Sequence, residues 1–176
     1  MNKFISLLTF IYLISFSLNA ENVNKIEVNG NKRISVETIK VYGDIKSLPS
    51  EFSKSDLDKI IKNLYETNFF ENVSVQIKNK NLIIDLKEYP IINQLVIIGE
   101  ASSRYKKEIK RLIKQKEKGS FIENNLKEDI NTIKKLYSSV GYNFAEVEPQ
   151  IRKIDDSNVD LIININRGEI TRIKKI

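Results

Sequence analysis

The sequence predicts an α+β protein of two tandem β-α-α-β-β units, each a three-stranded mixed sheet covered on one face by two helices. Three features of the 176 residues carry this expectation. The chain resembles itself at a period of about 70 residues, apolar stripes at helical spacing fill the middle of each copy, and alternating apolar runs open and close it.

The opening strand of each copy is the clearest repeat. Residues 23–30 align with residues 92–99, both alternating and both stopping at glycine. Ile26 and Val28, like Leu95 and Ile97, fall on one strand face, and Gly30 and Gly99 supply the positive φ of a turn or bulge. Residues 170–176 begin the pattern a third time, so residues 169–176 read as the start of a truncated third repeat.

A short helix follows each strand. Ser35 is the expected N-cap ahead of Val36, Ile39 and Val41, and Ile109, Leu112 and Ile113 mark the second short helix. A longer helix comes next, with Leu57, Ile60, Ile61, Leu64 and Tyr65 in one copy and Leu126, Ile130, Ile133, Leu136 and Tyr137 in the other. Both are i, i+3, i+4, i+7 stripes led by a phenylalanine, Phe52 or Phe121, and the second is three residues longer. Each ends in Leu-Tyr and a turn, at Asn68-Phe69-Phe70 and at Gly141-Tyr142-Asn143-Phe144.

Two strands close each copy. Val73, Val75 and Ile77 alternate before a polar turn and the apolar run 82–86, while residues 147–151 precede the Asp155-Asp156-Ser157-Asn158 turn and the run 159–165. The later, nearly all-apolar strand of each pair belongs at the sheet centre. Pro149 removes a ladder donor and places its strand at an edge. The units then span residues 22–89 and 90–168, joined only by Tyr89-Pro90, a linker short enough to predict a semi-rigid pair.

Residues 1–20 differ in kind. Lys3 is their only charge, residues 4–18 form an apolar run, and Ala20 offers a small residue for cleavage, the pattern of a secretory signal peptide. An uncleaved anchor is the alternative, though the run is short of the ~20 residues a spanning helix needs. Either way the remainder is exported.

Composition excludes much chemistry. The chain has no Cys and no His, so it holds no Cys/His zinc site, no Ser-His-Asp or Cys-His nucleophile and no disulfide, and no cofactor is indicated. Asp155 and Asp156 could pair as hydrolase carboxylates, yet they sit where a hairpin turn favours Asp, so the reading is of a non-enzyme. The net charge is +6, or +5 without Lys3, and it is concentrated in Lys106, Lys107, Lys110, Arg111, Lys114, Lys116 and Lys118, opposed in that stretch by Glu108 and Glu117 alone. That run reads either as a solvated face of the second short helix or as a patch, centred on Lys106, Lys107, Lys110, Arg111 and Lys114, for anionic lipid or an acidic partner. A KH-type RNA module shares the β-α-α-β order, but the sequence has no GxxG loop and export argues against nucleic acid.

Two stretches carry a family likeness. Residues 25–39, from Lys25 through Asn29-Gly30-Asn31-Lys32-Arg33-Ile34-Ser35 to Ile39, and residues 64–73, from Leu64-Tyr65 through Phe69-Phe70 to Val73, resemble the first POTRA domain of the outer-membrane protein assembly factors. Leu136-Tyr137 through Gly141-Tyr142, with Asn166-Arg167-Gly168-Glu169, resembles the second. In the first copy Phe69 stands where these motifs usually have Gly, and Glu100-Ala101-Ser102-Ser103 lacks the Asn-Lys-Arg-Ile-Ser run. The resemblance implies a periplasmic scaffold that receives unfolded outer-membrane β-barrel proteins and docks accessory outer-membrane lipoproteins, held to the outer membrane through a C-terminal barrel outside this sequence. Two-partner secretion transporters, translocation and assembly factors and FtsQ-type division proteins carry the same module.

Physics supplies a mechanism beside the resemblance. An open strand edge presents unpaired N–H and C=O groups to which an extended client adds as a further strand, whatever its side chains. The candidate client-binding edges are Val73, Ser74, Val75, Gln76 and Ile77 in one copy and Val147, Glu148, Gln150 and Ile151 in the other. The competing reading is of edges merely tolerated, blunted by Pro149 and nearby lysines.

Overall fold

The computed structural model describes residues 20–172. The expected signal segment lies outside them except for Ala20, as does the end of the expected third repeat. In chain order the elements are β1 (Glu21–Val23), β2 (Lys25–Asn29), α1 (Val36–Tyr42), β3 (Ser50–Phe52), α2 (Lys54–Glu66), β4 (Phe70–Lys78), β5 (Asn81–Glu88), β6 (Ile91–Ile98), α3 (Ser103–Leu112), α4 (Glu123–Ser139), β7 (Glu146–Lys153) and β8 (Asn158–Asn166). The chain divides into two compact units between Lys87 and Glu88. Among the described residues no helix is long and apolar enough to cross a membrane.

In the first unit the sheet order is β2-β5-β4, with β2 parallel to β5. Polar caps fix both helices. The Ser35 side chain accepts the Thr38 N–H, and Ser53 and Asp56 form a capping box. The two hydrogen bonds from Ser53, backbone first, hold the Asp56 carboxyl down to about 2. Apolar faces of the helices then meet the sheet: Ile39, Ile60 and Leu64 bury against Leu82 and Ile84. Each such side chain contributes roughly 1.5–3 kcal/mol by leaving water.

The second unit repeats the plan with order β6-β8-β7, β6 parallel and β7 antiparallel to β8. Ile109, Ile133 and Tyr137 pack against Leu161 and Ile163 of the central strand. Ser102, in the stretch that lacks the Asn-Lys-Arg-Ile-Ser run, caps α3 by accepting the Tyr105 N–H at 3.4 Å. Gly30 (φ +81°) and Gly99 (φ +83°) occupy equivalent places, where the chain leaves its first strand and crosses the end of the central one.

Several expectations need correction. Strands β1 and β3 pair antiparallel within the first unit and bury Val23 and Phe52 in its core, so Phe52 ends a strand instead of leading a helix. Val41 lies on the solvent side of α1, 77% exposed, because only Ile39 of that short helix is buried. Helix α4 exceeds α2 by four residues, 17 against 13. The residue in the left-handed conformation after α2 is Asn68 (φ 57°), not Phe69, so Asn68 takes the place filled by Gly141 (φ 94°) in the second unit. Asn tolerates that conformation better than other non-glycine residues. Phe69 instead packs edge-on against Tyr42 and Phe70.

Candidate functional site

The candidate edge residues of the first unit lie on β4, whose only strand neighbour among the described residues is β5. The Val73 N–H donates to the Tyr65 hydroxyl at 3.1 Å, and that hydroxyl donates to Asn72 Oδ1 at 3.2 Å. Val73 therefore points its N–H away from β5. By the two-residue period of a strand, Val75 and Ile77 point theirs the same way. Val73 is buried and Val75 and Ile77 are half-buried, while Ser74 and Gln76 are exposed. The strand period thus turns the N–H groups of Val75 and Ile77 to the outer side of β4, where no strand of the described residues pairs with them, and the one at Val73 is already held by Tyr65.

Strand β7 is the outer strand of the second sheet and carries Val147, Glu148, Gln150 and Ile151. Its hairpin closes through Ile154 N–H on Asn158 C=O at 3.0 Å, so Ile154 faces β8. The register runs unbroken from Glu146 to Lys153, which makes Arg152, Gln150 and Glu148 face β8 as well. Val147, Pro149, Ile151 and Lys153 face outward. Pro149 therefore removes a donor from the open side and none from the ladder, which is why the sheet accepts it. Val147 is the one buried side chain of β7, and Ile151 is 45% exposed.

The other two outer strands differ. Along β6 the loop before α4 closes the edge: Ile92 N–H donates to Gly119 C=O (2.9 Å), Lys118 N–H to Ile92 C=O (2.7 Å) and Phe121 N–H to Pro90 C=O (2.7 Å). The Glu117 carboxylate accepts the Leu95 N–H at 3.1 Å, a bond that together with Lys110 holds this carboxyl below its ordinary range. Strand β2 is only five residues long. The long open edges are β4, nine residues, and β7, eight.

The basic run does not form one face. Lys106, Lys107, Lys110 and Arg111 lie on α3, but Lys114 lies beyond it, because Ile113 turns extended (ψ 151°) and ends the helix. Asp129, a buried residue of α4, draws in the chain there by accepting the N–H groups of Lys114 (2.6 Å) and Gln115 (2.8 Å). Much of the charge is neutralised locally. Arg111 makes a two-point ion pair with Glu108, Lys114 pairs with Glu128, and Lys110 approaches Glu117 at 3.5 Å. Arg104, outside the predicted patch, joins Lys107 and Arg111 around a groove of about 620 Å³ between α3 and α4.

Other polar groups serve the fold. Glu100 is buried and accepts the Tyr137 hydroxyl and the Ser102 N–H. Burial pushes its carboxyl up, but those bonds and the Arg167 charge outweigh it and hold the group below its ordinary range. Burial and then the Glu100 contact raise Tyr137 far above a usual phenol. Asp155 accepts the Ser157 N–H at 2.7 Å and Asp156 pairs with Lys153, so this pair builds the turn. Among the described residues no three His, Cys, Asp or Glu side chains converge as a metal would need.

With this geometry in view, residues 90–168 match the POTRA family model, described as a surface antigen variable number repeat. The second unit is a POTRA domain. The chain as a whole is similar to outer membrane protein assembly factor BamA: 29% identical over 182 residues to that of Buchnera aphidicola, covering 98% of this chain and 28% of the relative. The BamA of Neorickettsia risticii is 24% identical over 166 residues, covering 94% of this chain and 22% of the relative. The chain thus spans about a quarter of the length of these relatives. Among solved structures, the N-terminal domain of Omp85 from Thermosynechococcus elongatus shares the fold at a TM-score of 0.51 and 13% identity, covering 90% of this chain and 73% of that one. Both units have the POTRA plan of a three-stranded mixed sheet under two helices, the first with the β1-β3 pair added.

Proposed function

We propose that the chain is a periplasmic POTRA scaffold of an outer-membrane β-barrel assembly machine. It is exported by residues 1–20, folds as domains over 22–89 and 90–168, and continues at 169–176 into a further repeat of a polypeptide that ends in a membrane barrel. Unfolded outer-membrane proteins are received by β-augmentation on β4 and β7, and accessory lipoproteins dock on the same scaffold. The observation that carries this reading is the pair of long open edges whose outward backbone groups at Val75, Ile77, Ile151 and Lys153 have no partner strand. Backbone pairing supplies affinity with little demand on client sequence, which suits a receiver of many different strands. The similarity to BamA supplies the client class.

Val75→Pro tests it. The substitution removes an outward N–H while the ladder bonds to β5 stay in place. Photo-crosslinkers placed at Ser74 and Gln76 are expected to lose an unfolded barrel protein in this variant, while crosslinks from β7 persist. Undiminished crosslinking from Ser74 and Gln76 would remove β4 from the mechanism.

A further inference from the structure

Helices α3 and α4 leave a groove that the edge mechanism does not use. Its floor is apolar: Leu136, Val140 (39% exposed) and the ring of Tyr105, which stacks on Tyr137 with centroids 6.0 Å apart. Its rim is cationic, with Arg104, Lys107 and Arg111 placed on one side of α3 by their three- and four-residue spacing. Glu108 is the one acid in the lining, and Arg111 engages it through both guanidinium contacts, at 3.0 and 2.6 Å. Two net positive charges therefore stand over an apolar recess, and neither Arg104 nor Lys107 has an ion pair among the described residues.

We infer that this groove is a docking site for an acidic amphipathic segment of a partner protein, with an apolar side chain on the Leu136-Val140-Tyr105 floor and carboxylates on Arg104 and Lys107. Charge complementarity selects acid over base, since a basic segment would meet a net positive lining whose one carboxylate, Glu108, is already engaged by Arg111. A volume of 620 Å³ holds several side chains and is in the range of helix-in-groove and ligand pockets. A membrane surface is the poorer occupant. A bilayer addresses a flat array of cations, whereas these surround a recess, and Lys110 and Lys114 of the run are paired with Glu117 and Glu128. The groove residues all lie on helices or at the end of α4, so the site operates apart from β4 and β7 and does not rest on strand capture.

The test uses the full chain and three probes: a fluorescent acetylated helical peptide with Leu at i and i+4 and Glu elsewhere, the same peptide with Lys for Glu, and phosphatidylglycerol vesicles. The acidic peptide is expected to bind, to weaken with rising salt, and to bind about tenfold more weakly to Arg104→Glu/Lys107→Glu. A second variant, Val140→Asn, is expected to weaken it through the floor while leaving the charge of the groove unchanged. Val75→Pro is expected to bind the peptide as the parent does, so that failure of the edge mechanism and failure of this site are told apart. The inference is overturned if the acidic peptide does not bind, if the Lys peptide binds equally, if the charge reversal changes nothing, or if Arg104 and Lys107 engage only vesicles.

Discussion

Gly99→Ala is expected to unfold the second unit while leaving the first folded. A Cβ at this position would lie 2.0 Å from the Ile165 carbonyl oxygen, and φ is +83°, so the substitution meets both a backbone clash and a conformation that L-residues avoid. The clash is with main chain of the central strand β8, which has no flexible end to move. A loss of about 3–5 kcal/mol follows, a large part of what a domain of this size holds. Gly30→Ala is the mirror experiment, because its Cβ would lie 2.0 Å from the Leu86 carbonyl oxygen of β5 at φ +81°. Hydrogen exchange read by mass spectrometry separates the units: each variant should lose protection in its own unit alone. Equal loss in both units from either variant would show one cooperative structure and contradict the division into two modules.

Asp129→Ala is expected to have the next largest effect. The carboxylate is 1% exposed and accepts two main-chain N–H groups just past the end of α3. Removing it leaves those donors without a partner and also frees the loop that carries Glu117 to the β6 edge. About 2–4 kcal/mol of destabilisation follows from the orphaned donors. Asp129→Asn keeps one acceptor oxygen and should lose about half as much. Denaturant midpoints of the two variants check the order, and an Ala variant as stable as the parent would show that water replaces the carboxylate.

The elements legible in the sequence were those long enough to show a period. The stripes of α2 and α4 and the alternation ending at Gly30 and Gly99 each repeat a signal several times, and the two copies reinforce one another. Strands β1 and β3, three residues each, are too short to display alternation; their burial of Val23 and Phe52 depends on pairing across about 30 residues of chain. Asp129 was hidden because a carboxylate within an apolar stripe looks like its solvent side, and its task depends on a loop from another element. Lys114 reads as helical in the sequence because nothing in its neighbourhood breaks a helix; the extended backbone at Ile113 comes with tertiary bonds.

The site was legible only in part, and Tyr65 and Tyr137 explain why. Both follow a Leu near the end of the long helix of their unit. Tyr65 is 41% exposed and holds the outward N–H of Val73, whereas Tyr137 is buried and gives its hydroxyl to Glu100. The same pair of letters thus trims the open edge in one unit and leaves it untouched in the other. The difference arises from what surrounds each ring, which no local motif records. The direction of the backbone donors on β7 likewise came from the Ile154–Asn158 closure and the unbroken register.

Amide exchange followed by NMR, with and without an unfolded barrel-protein strand, tests strand capture most directly. The amides of Val75, Ile77, Ile151 and Lys153 should slow on addition of the strand, while those of Gln150 and Arg152, already facing β8, should change little. Binding that slows none of the four outward amides, or that protects the helices instead, would contradict capture at the sheet edges.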